Sequence, residues 1–283
     1  LFMDSYCVFG HPIEHSKSPW IQARFAELTG QTLQYEKTWV PLDAFNATVH
    51  AFRAAGGKGC NVTLPFKTEA AALATECSPR VALAQACNAL KFDGEHIYGE
   101  NTDGIGLVTD LVSNAGFSLQ GRRILLIGAG GASAGVLGPL LAQKPQCIWV
   151  ANRSVDKAIH LVARHASLAA SEGVDCQAFG LTHEAILSQS FDLVINASSS
   201  SLQQAALPVP ATVLQANGLA CDLMYGPAAQ GFLEWARAHG TEARDGLGML
   251  VEQAAASFQL WRGVQPPTQQ VLAELRALVS PSQ

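Results

Sequence analysis

Charged residues are scarce in this chain, and several patterns with clear functional meaning are missing from it. Asp, Glu, Lys and Arg make up 14% of the 283 residues, whereas hydrophobic residues make up 48%. Such a composition can bury a large core and argues against intrinsic disorder. No run of basic residues occurs and the net charge is −5, so neither nucleic acid nor an anionic membrane is expected as a partner.

The seven cysteines show none of the spacings that bind metals or exchange disulfides. The sequence has no C-x-x-C motif and no Cys/His zinc pattern. An odd number of scattered cysteines is typical of reduced thiols, so we expect a cytoplasmic protein without a metal site. No secretory signal is recognisable at the start of the sequence, which agrees with that expectation.

Charge is absent altogether from residues 124–143, a stretch about long enough to cross a bilayer. It contains five glycines and one proline, however, and begins with a short apolar run. We therefore interpret it as a strand, a loop and a helix, and expect no membrane span.

Residues 122–157 have the pattern of the phosphate-binding unit of a dinucleotide fold. In order, the pattern predicts a strand at 124–127, a loop of Gly128, Ala129, Gly130, Gly131 and Ala132, a helix to about Leu141 and a strand at 147–151. Glycines let the backbone approach a pyrophosphate, and the helix N-terminus offers it free N–H groups. The third fingerprint position is Ser133 instead of Gly or Ala, and the alternative is an ordinary strand-to-helix turn.

The end of the second strand predicts which dinucleotide binds. An NAD site places a carboxylate there for the ribose hydroxyls. This chain has Asn152, Arg153 and Ser154 instead, with Lys157 one helical turn further. A guanidinium pairs with a 2′-phosphate, which a carboxylate would repel, so the sequence predicts NADP. The alternative is that these residues only form an exposed helix start.

Strand patterns alternate with helix patterns in the N-terminal half, which favours a mostly parallel sheet. The predicted strands are 6–10, 35–40 and 59–64, and the predicted helices are 20–28 and 42–55. Such sheets bind ligands at the carboxyl ends of their strands, where Asn61, Thr63 and Lys67 lie. A hairpin is expected further on, around a type I′ turn at Asp93-Gly94.

Three polar residues at predicted helix starts each have two interpretations. Ser16 and Ser18 stand two apart in an extended segment, where they could hold a small carboxylate, or Ser18 could simply cap the helix that follows. Asp103 begins a later helix and could likewise be only its N-cap.

Six sequence blocks, taken together, resemble the shikimate dehydrogenase family. They are Gly10-His11-Pro12-Ile13-Glu14-His15-Ser16-Lys17-Ser18-Pro19, Asn61-Val62-Thr63-Leu64-Pro65-Phe66-Lys67, Asn101-Thr102-Asp103-Gly104, Gly128-Ala129-Gly130-Gly131-Ala132, Asn152-Arg153-Ser154 and Asp245-Gly246-Leu247-Gly248-Met249-Leu250-Val251-Glu252-Gln253-Ala254. The resemblance covers essentially the whole chain. It implies reversible, NADPH-dependent reduction of 3-dehydroshikimate to shikimate in aromatic amino-acid biosynthesis.

The resemblance also implies the architecture, an α/β protein of two domains. A mostly parallel substrate-binding and catalytic domain would comprise residues 1–103 and 247–283. A Rossmann-type NADP-binding domain would comprise residues 104–246, and the C-terminal helices would return to the first domain. The protein would be a monomer or a homodimer.

Site residues follow from the resemblance position by position. The implied catalytic pair is Lys67 and Asp103. The implied substrate-binding residues are Ser16, Ser18, Asn61, Thr63, Lys67, Asn88, Asp103, Tyr225 and Gln253. The implied cofactor-binding residues are Gly128, Ala129, Gly130, Gly131, Ala132, Asn152, Arg153, Ser154, Lys157, Met224 and Gly246.

The chemistry of ketone reduction agrees with the implied catalytic pair. Hydride must reach carbon and a proton must reach oxygen, and a cation beside the developing alkoxide lowers the barrier. Lys67 can supply that charge and Asp103 can orient it, although the sequence does not decide which of the two moves the proton.

Two further functions remain open at the level of sequence. One is a quinate/shikimate dehydrogenase with broader substrate or cofactor use, and the other is a catalytically silent dinucleotide sensor. The loop after the strand predicted at 191–197 also departs from the family pattern, because Ser198 and Ser201 stand where Thr-Ser and Gly are usual. The path of residues 198–204 is therefore not predicted.

Overall fold

The computed structural model describes residues 3–198 and 209–279, which form two compact units. The first unit contains the chain up to Gly106 together with Leu250–Leu278, and the second contains Leu107–Met249. These divisions lie a few residues after the boundaries at 103/104 and 246/247 that the resemblance implies. Which ligand each unit binds stays a prediction.

The first unit is a six-stranded sheet with helices. Its elements are β1 (Asp4–Gly10), α1 (Ser18–Thr29), β2 (Leu33–Trp39), α2 (Phe45–Ala54), β3 (Gly57–Val62), α3 (Lys67–Leu73), β4 (Glu76–Cys77), α4 (Pro79–Ala84), β5 (Ala89–Asp93) and β6 (His96–Glu100). The strand order is β2-β1-β3-β5-β6-β4, and β5 alone runs against the others among the described strands. The expectation of a mostly parallel sheet is confirmed.

Two helices carry the chain between the units. Helix α5 (Asp103–Thr109) continues into a π-helical turn at Asp110–Asn114, and the chain enters the second unit within α5. Helix α10 (Leu247–Arg262) brings it back, and α11 (Thr268–Val279) follows. The first unit is therefore built from two separated parts of the sequence.

The second unit is an all-parallel sheet of six strands. Its elements are β7 (Arg123–Ile127), α6 (Gly131–Leu141), β8 (Cys147–Asn152), α7 (Val155–Glu172), β9 (Asp175–Gly180), α8 (Glu184–Leu187), β10 (Phe191–Asn196), β11 (Leu214–Asp222), α9 (Gln230–Ala238) and β12 (Glu242–Arg244). The order β12-β11-β10-β7-β8-β9 is that of a dinucleotide-binding fold. Strand order reverses between β7 and β10, the position where such sheets bind ligands.

The uncharged stretch 124–143 lies within this sheet and its first helix. Strand β7 is buried along its apolar run, and α6 packs as an interior helix with Pro139 inside it. Across residues 3–198 and 209–279, no helix is long and apolar enough to span a membrane.

Each unit has an aromatic core of its own. In the first, the rings of Phe45 and Phe66 stack with centroids 5.0 Å apart. In the second, Trp149 meets Phe179 and Phe191 at 4.7 Å and 5.6 Å. Phe45 and Phe66 belong to a buried cluster of the first unit, and Trp149 and Phe191 belong to a buried cluster of the second.

Two local expectations were wrong. Ser18 is not the N-cap of α1, because the helix begins at Ser18 itself and the hydroxyl of Ser16 accepts the Ser18 N–H at 3.3 Å. The hairpin turn is not type I′, because Asp93 pairs with His96 and only Gly94 of the two loop residues has a positive φ, 55°. Type I′ needs positive φ at both positions, and Glu95, which has a β-carbon, does not adopt it.

Candidate active site

Lys67 and Asp103 meet in the first unit although they start different helices. The Nζ of Lys67 lies 2.5 Å from Oδ2 of Asp103, and both side chains are largely buried. Oδ1 of Asp103 accepts a second hydrogen bond, from Nδ2 of Asn88 at 2.9 Å. The side chain of Asn101 accepts the Asp103 N–H at 3.1 Å and so caps α5. The interpretation of Asp103 as a mere helix cap is therefore wrong.

Asn88 is the centre of a buried amide network around this pair. Its Oδ1 accepts the backbone N–H of Thr102 at 2.8 Å, and its Nδ2 lies 2.9 Å from the Thr102 hydroxyl and 3.3 Å from Oε1 of Gln253. Gln253 reaches the network from α10, 165 residues further along the chain. Asn88 thus ties Asp103 to the helix that closes the first unit.

Asn61 lies next to this network, and most of the hydrogen-bonding capacity of its side-chain amide is already used. Its Nδ2 donates to the Asn88 carbonyl at 3.0 Å and to the Ser257 hydroxyl at 2.9 Å. Its Oδ1 accepts from the hydroxyl of Tyr35 at 2.7 Å. The same Tyr35 hydroxyl contacts the side chain of Ser18, and burial raises the pKa of Tyr35 well above its ordinary value. Both hydrogens of the Asn61 Nδ2 are therefore in use, and its Oδ1 can accept one more hydrogen bond.

The remaining predicted substrate residues of this unit lie at the carboxyl ends of β1 and β3. Ser16 is half-buried before α1, and Thr63 directly follows β3. The hydroxyl of Thr63 makes no hydrogen bond with any described residue, whereas its methyl group lies 2.5 Å from where a β-carbon on Gly10 would stand. Gly10 is needed here because a side chain would displace Thr63.

The glycine loop of the second unit contains two kinds of glycine. Gly128 has φ 109°, and a β-carbon there would lie 3.0 Å from the Ala197 carbonyl, so the chain itself requires glycine. Gly130 and Gly131 have neither a left-handed φ nor a neighbour within 4 Å of an added β-carbon. The fold itself does not require glycine at these two positions. Glycine there instead leaves room for a pyrophosphate to approach the backbone closely.

Three further loop residues complete the turn into α6. Ala129 lies in the loop and Ala132 in the first turn of the helix. Ser133 is buried, and its hydroxyl donates to the Gly128 carbonyl at 2.8 Å. The departure from Gly or Ala at this position thus adds a bond that holds the loop against its helix.

The residues after β8 lie at the same sheet edge as the glycine loop, since Ala151 pairs with Ile127. Nδ2 of Asn152 donates to the Ser154 carbonyl at 2.8 Å, and Ser154 is the N-cap residue of α7. Arg153 and Lys157 are exposed, and neither forms an ion pair within the part of the chain that the structure describes. Two unpaired cations at this edge fit a 2′-phosphate.

The chain after β11 brings Met224 next to Gly246. The Gly246 N–H donates to the Met224 carbonyl at 2.8 Å, and a β-carbon on Gly246 would lie 2.6 Å from the Leu223 carbonyl carbon and still closer to its oxygen. Tyr225 is half-buried, and burial raises its pKa. Gly246 is thus fixed by close backbone packing in the second unit.

Known proteins resemble this chain over nearly its full length. Family models match at residues 8–90 (Shikimate dehydrogenase substrate binding domain), 110–205 (Shikimate / quinate 5-dehydrogenase) and 246–276 (Shikimate 5'-dehydrogenase C-terminal domain). The Shikimate dehydrogenase (NADP(+)) of Paracidovorax citrulli is 59% identical over 276 residues, which are 97% of each chain. The chain belongs to the shikimate dehydrogenase family.

Solved structures agree with this membership. An Ael1 enzyme from Pseudomonas putida superimposes with a TM-score of 0.89 at 46% identity, covering 96% of this chain and 98% of its own. Shikimate 5-dehydrogenase from Thermus thermophilus, in complex with NADP(H) and shikimate, gives a TM-score of 0.84 at 31% identity, covering 97% and 99%. The resemblance to the family that the six sequence blocks indicated is confirmed.

Sequence reasoning missed several members of the first-unit network. Ser257 lies four residues after Gln253 on α10, so helical spacing puts both on one face. Tyr35 reads as an ordinary buried strand residue, and nothing local shows that its hydroxyl meets Asn61. Ser198 hydrogen-bonds Oδ1 of Asn196 at 2.7 Å, but residues 199–208, including Ser201, lie outside the described residues.

Proposed function

We propose that this chain catalyses the reversible NADPH-dependent reduction of 3-dehydroshikimate to shikimate, within aromatic amino-acid biosynthesis. The observation that carries the proposal is the buried contact of 2.5 Å between Lys67 and Asp103, surrounded by amide side chains. The names of the relatives, which specify shikimate dehydrogenase and NADP(+), support the same reaction.

The polar residues of the first unit suit a small polyhydroxylated acid. The hydroxyls of Ser16 and Ser18 at the start of α1 would bind its carboxylate, where the helix N-terminus favours negative charge. Asn61, Thr63 and Gln253 would bind ring hydroxyls. Thr63 has an unused hydroxyl and Asn61 an acceptor position, so both have capacity for a substrate.

Lys67 is proposed as the residue that transfers the proton. Bound NADPH would supply a hydride to the carbonyl carbon. Both oxygens of Asp103 already accept hydrogen bonds, from Lys67 and Asn88, which suits an ionised carboxylate with no proton to give. Lys67 would donate its proton to the carbonyl oxygen as the C=O bond becomes C–O–H, and would regain one from solvent. Asn88 and Asp103 would orient its amine.

The second unit is proposed to hold NADP through three groups of residues. The loop Gly128, Ala129, Gly130, Gly131 and Ala132 would bind the pyrophosphate through backbone N–H groups. Asn152, Arg153, Ser154 and Lys157 would bind the 2′-phosphate and its ribose. Met224, Tyr225 and Gly246 would border the nicotinamide, with Tyr225 contacting substrate.

The setting proposed for the protein follows from the same reasoning. The scattered cysteines suit reduced thiols, and among the described residues five of the seven are buried as free thiols. We therefore place the protein in the cytoplasm. We also propose that it acts on small molecules as a monomer or a homodimer.

The first test is the absorbance of reduced nicotinamide with shikimate and NADP, repeated with NAD and with quinate. We expect rapid NADP reduction with shikimate only. Lys67→Ala should lower kcat by about 10²- to 10⁴-fold, the range of general acid–base catalysis, with NADP binding retained. Lys58→Ala removes an exposed lysine of β3 in the same unit and should leave kcat unchanged.

Other outcomes would redirect the proposal. Equal turnover of quinate, or of NAD, would favour the broader quinate/shikimate dehydrogenase. Tight NADP binding without turnover of any pair would rule out the enzyme and leave a sensor. Full activity of Lys67→Ala would remove Lys67 from the mechanism while leaving the reaction in place.

A further inference from the structure

An ion pair with a buried carboxylate lies next to the catalytic pair and has no part in the mechanism so far. Glu100, the last residue of β6, is 6% exposed. Arg80 of α4 donates to both of its oxygens, from Nε at 3.0 Å and from Nη2 at 2.7 Å. The hydrogen bonds to Glu100 raise the pKa of Arg80. A buried carboxylate is costly unless it is fully paired, and a buried ion pair seldom adds net stability over apolar residues, so the pair directs attention to what Glu100 holds in place.

Glu100 holds the peptide that leads to Asp103. Its Oε1 accepts the backbone N–H of Asn101 at 2.7 Å and the hydroxyl of Ser78 at 2.7 Å. The side chain of Asn101 in turn accepts the Asp103 N–H at 3.1 Å and donates to the Ala86 carbonyl at 2.9 Å. A continuous set of hydrogen bonds therefore runs from Glu100 to the first turn of α5.

The backbone of Glu100 also contacts Asn88. The backbone N–H of Asn88 donates to the Glu100 carbonyl at 3.1 Å, and its side chain binds Asp103. Glu100 thus holds two residues that bond Asp103: Asn101, through its side chain, which accepts the Asp103 N–H, and Asn88, through its backbone, which donates to the Asp103 carboxylate. A displacement of Glu100 would move Asp103 relative to Lys67.

We infer that Glu100, clamped by Arg80, is a positioning residue for the Lys67–Asp103 pair. The inference rests on the proposed reaction and adds a residue to it. A glutamine cannot replace Glu100. In one orientation of its amide the NH2 group would face the Arg80 donor, and in the other it would face the Asn101 N–H. The carboxylate is required since all four of its contacts are donors.

The test is a double-mutant cycle on kcat and KM with shikimate and NADP. Glu100→Gln should lower kcat about tenfold and change KM for shikimate by less than about twofold, because it displaces a catalytic group and no substrate contact. In an Asp103→Asn background, Glu100→Gln should have no further effect on kcat, because the group that it positions is already gone.

The matched control is Glu274→Gln on α11. Glu274 also takes two hydrogen bonds from one arginine, Arg24, but bonds no residue of the amide network. The kcat of the Glu274→Gln variant should equal that of the wild-type protein. If Glu100→Gln fails to fold, Arg80→Ala replaces it, since the Arg80 side chain is 43% exposed and its loss should lower kcat about threefold.

Three results would overturn the inference. One is an equal loss of kcat from Glu100→Gln with Asp103 intact and with Asp103→Asn. A second is a rise in KM with kcat unchanged, and the third is wild-type kcat in Glu100→Gln. An inactive wild type would instead refute the proposed reaction, so the two failures are distinguishable.

Discussion

The residues predicted to bind ligands are arranged differently in the two units. In the first unit, side chains hold one another, and Asn61, Asn88 and Asp103 each make at least two hydrogen bonds with other residues. In the second unit, glycines shape the loop after β7, and Arg153 and Lys157 follow the neighbouring strand β8 with no ion-pair partner among the described residues. One site is a fixed polar network, and the other is a backbone surface with exposed charge.

The difference predicts which atoms matter in each unit. A network in which most donors are already used is sensitive to the loss of a single hydroxyl or amide. A backbone surface is sensitive instead to added β-carbons and to the loss of charge. The three substitutions below separate these sensitivities.

The largest effect is expected from Gly246→Ala in the second unit. Its β-carbon would stand 2.6 Å from the backbone carbon of Leu223, which cannot move cheaply. Chemical denaturation should show a free energy of unfolding lowered by about 3 kcal/mol. Gly231→Ala on α9, where an added β-carbon has no neighbour within 4 Å, should leave it unchanged or raise it by up to about 1 kcal/mol. Equal stability of the two variants would contradict this account of Gly246.

An intermediate effect is expected from Arg153→Ala. Loss of the guanidinium should raise the Kd for NADP about 10- to 100-fold, the value of a charge-assisted hydrogen bond of roughly 1.5–3 kcal/mol, while the Kd for NAD stays the same. Calorimetric titration measures both. Arg164→Ala, which removes an exposed cation within α7, should change neither Kd. A parallel loss of NAD affinity would mean that Arg153 does not read the 2′-phosphate.

The smallest effect is expected from Tyr35→Phe in the first unit. The substitution removes the hydroxyl that binds Asn61 at 2.7 Å and keeps the ring. KM for shikimate should rise about 3- to 10-fold, the equivalent of a net hydrogen bond of roughly 0.5–1.5 kcal/mol, with kcat almost unchanged. The control is Tyr6→Phe. Tyr6 lies in the same sheet, and the substitution removes a hydroxyl that is bound to Arg262 of α10. If both variants behave alike, Tyr35 does not organise the substrate residues.

The sequence predicted those parts of the molecule that depend on local signals. The unit from β7 to β8 follows from apolar runs and glycines, and the pairing of Lys67 with Asp103 follows from motif blocks, while their catalytic roles stay a prediction. The contact of Tyr35 with Asn61, and that of Asn61 with Ser257, join residues 26 and 196 positions apart and leave no local pattern. The hairpin turn and the cap of α1 were mispredicted because a shift of one residue along the chain changes which residues occupy the turn and the cap position.

The discontinuous first unit has a consequence for synthesis on the ribosome. Trp261 of α10 donates to the Leu90 carbonyl at 3.0 Å and stacks on Tyr6, and Phe258 packs against Phe25. Residues up to Gly106 are synthesised before this helix, and at roughly 5–20 residues per second the interval until α10 follows is about 7 to 30 seconds. The second unit is contiguous and can complete its sheet in that interval. A nascent chain paused before α10 would therefore present a finished dinucleotide fold beside an open aromatic surface that chaperones can bind.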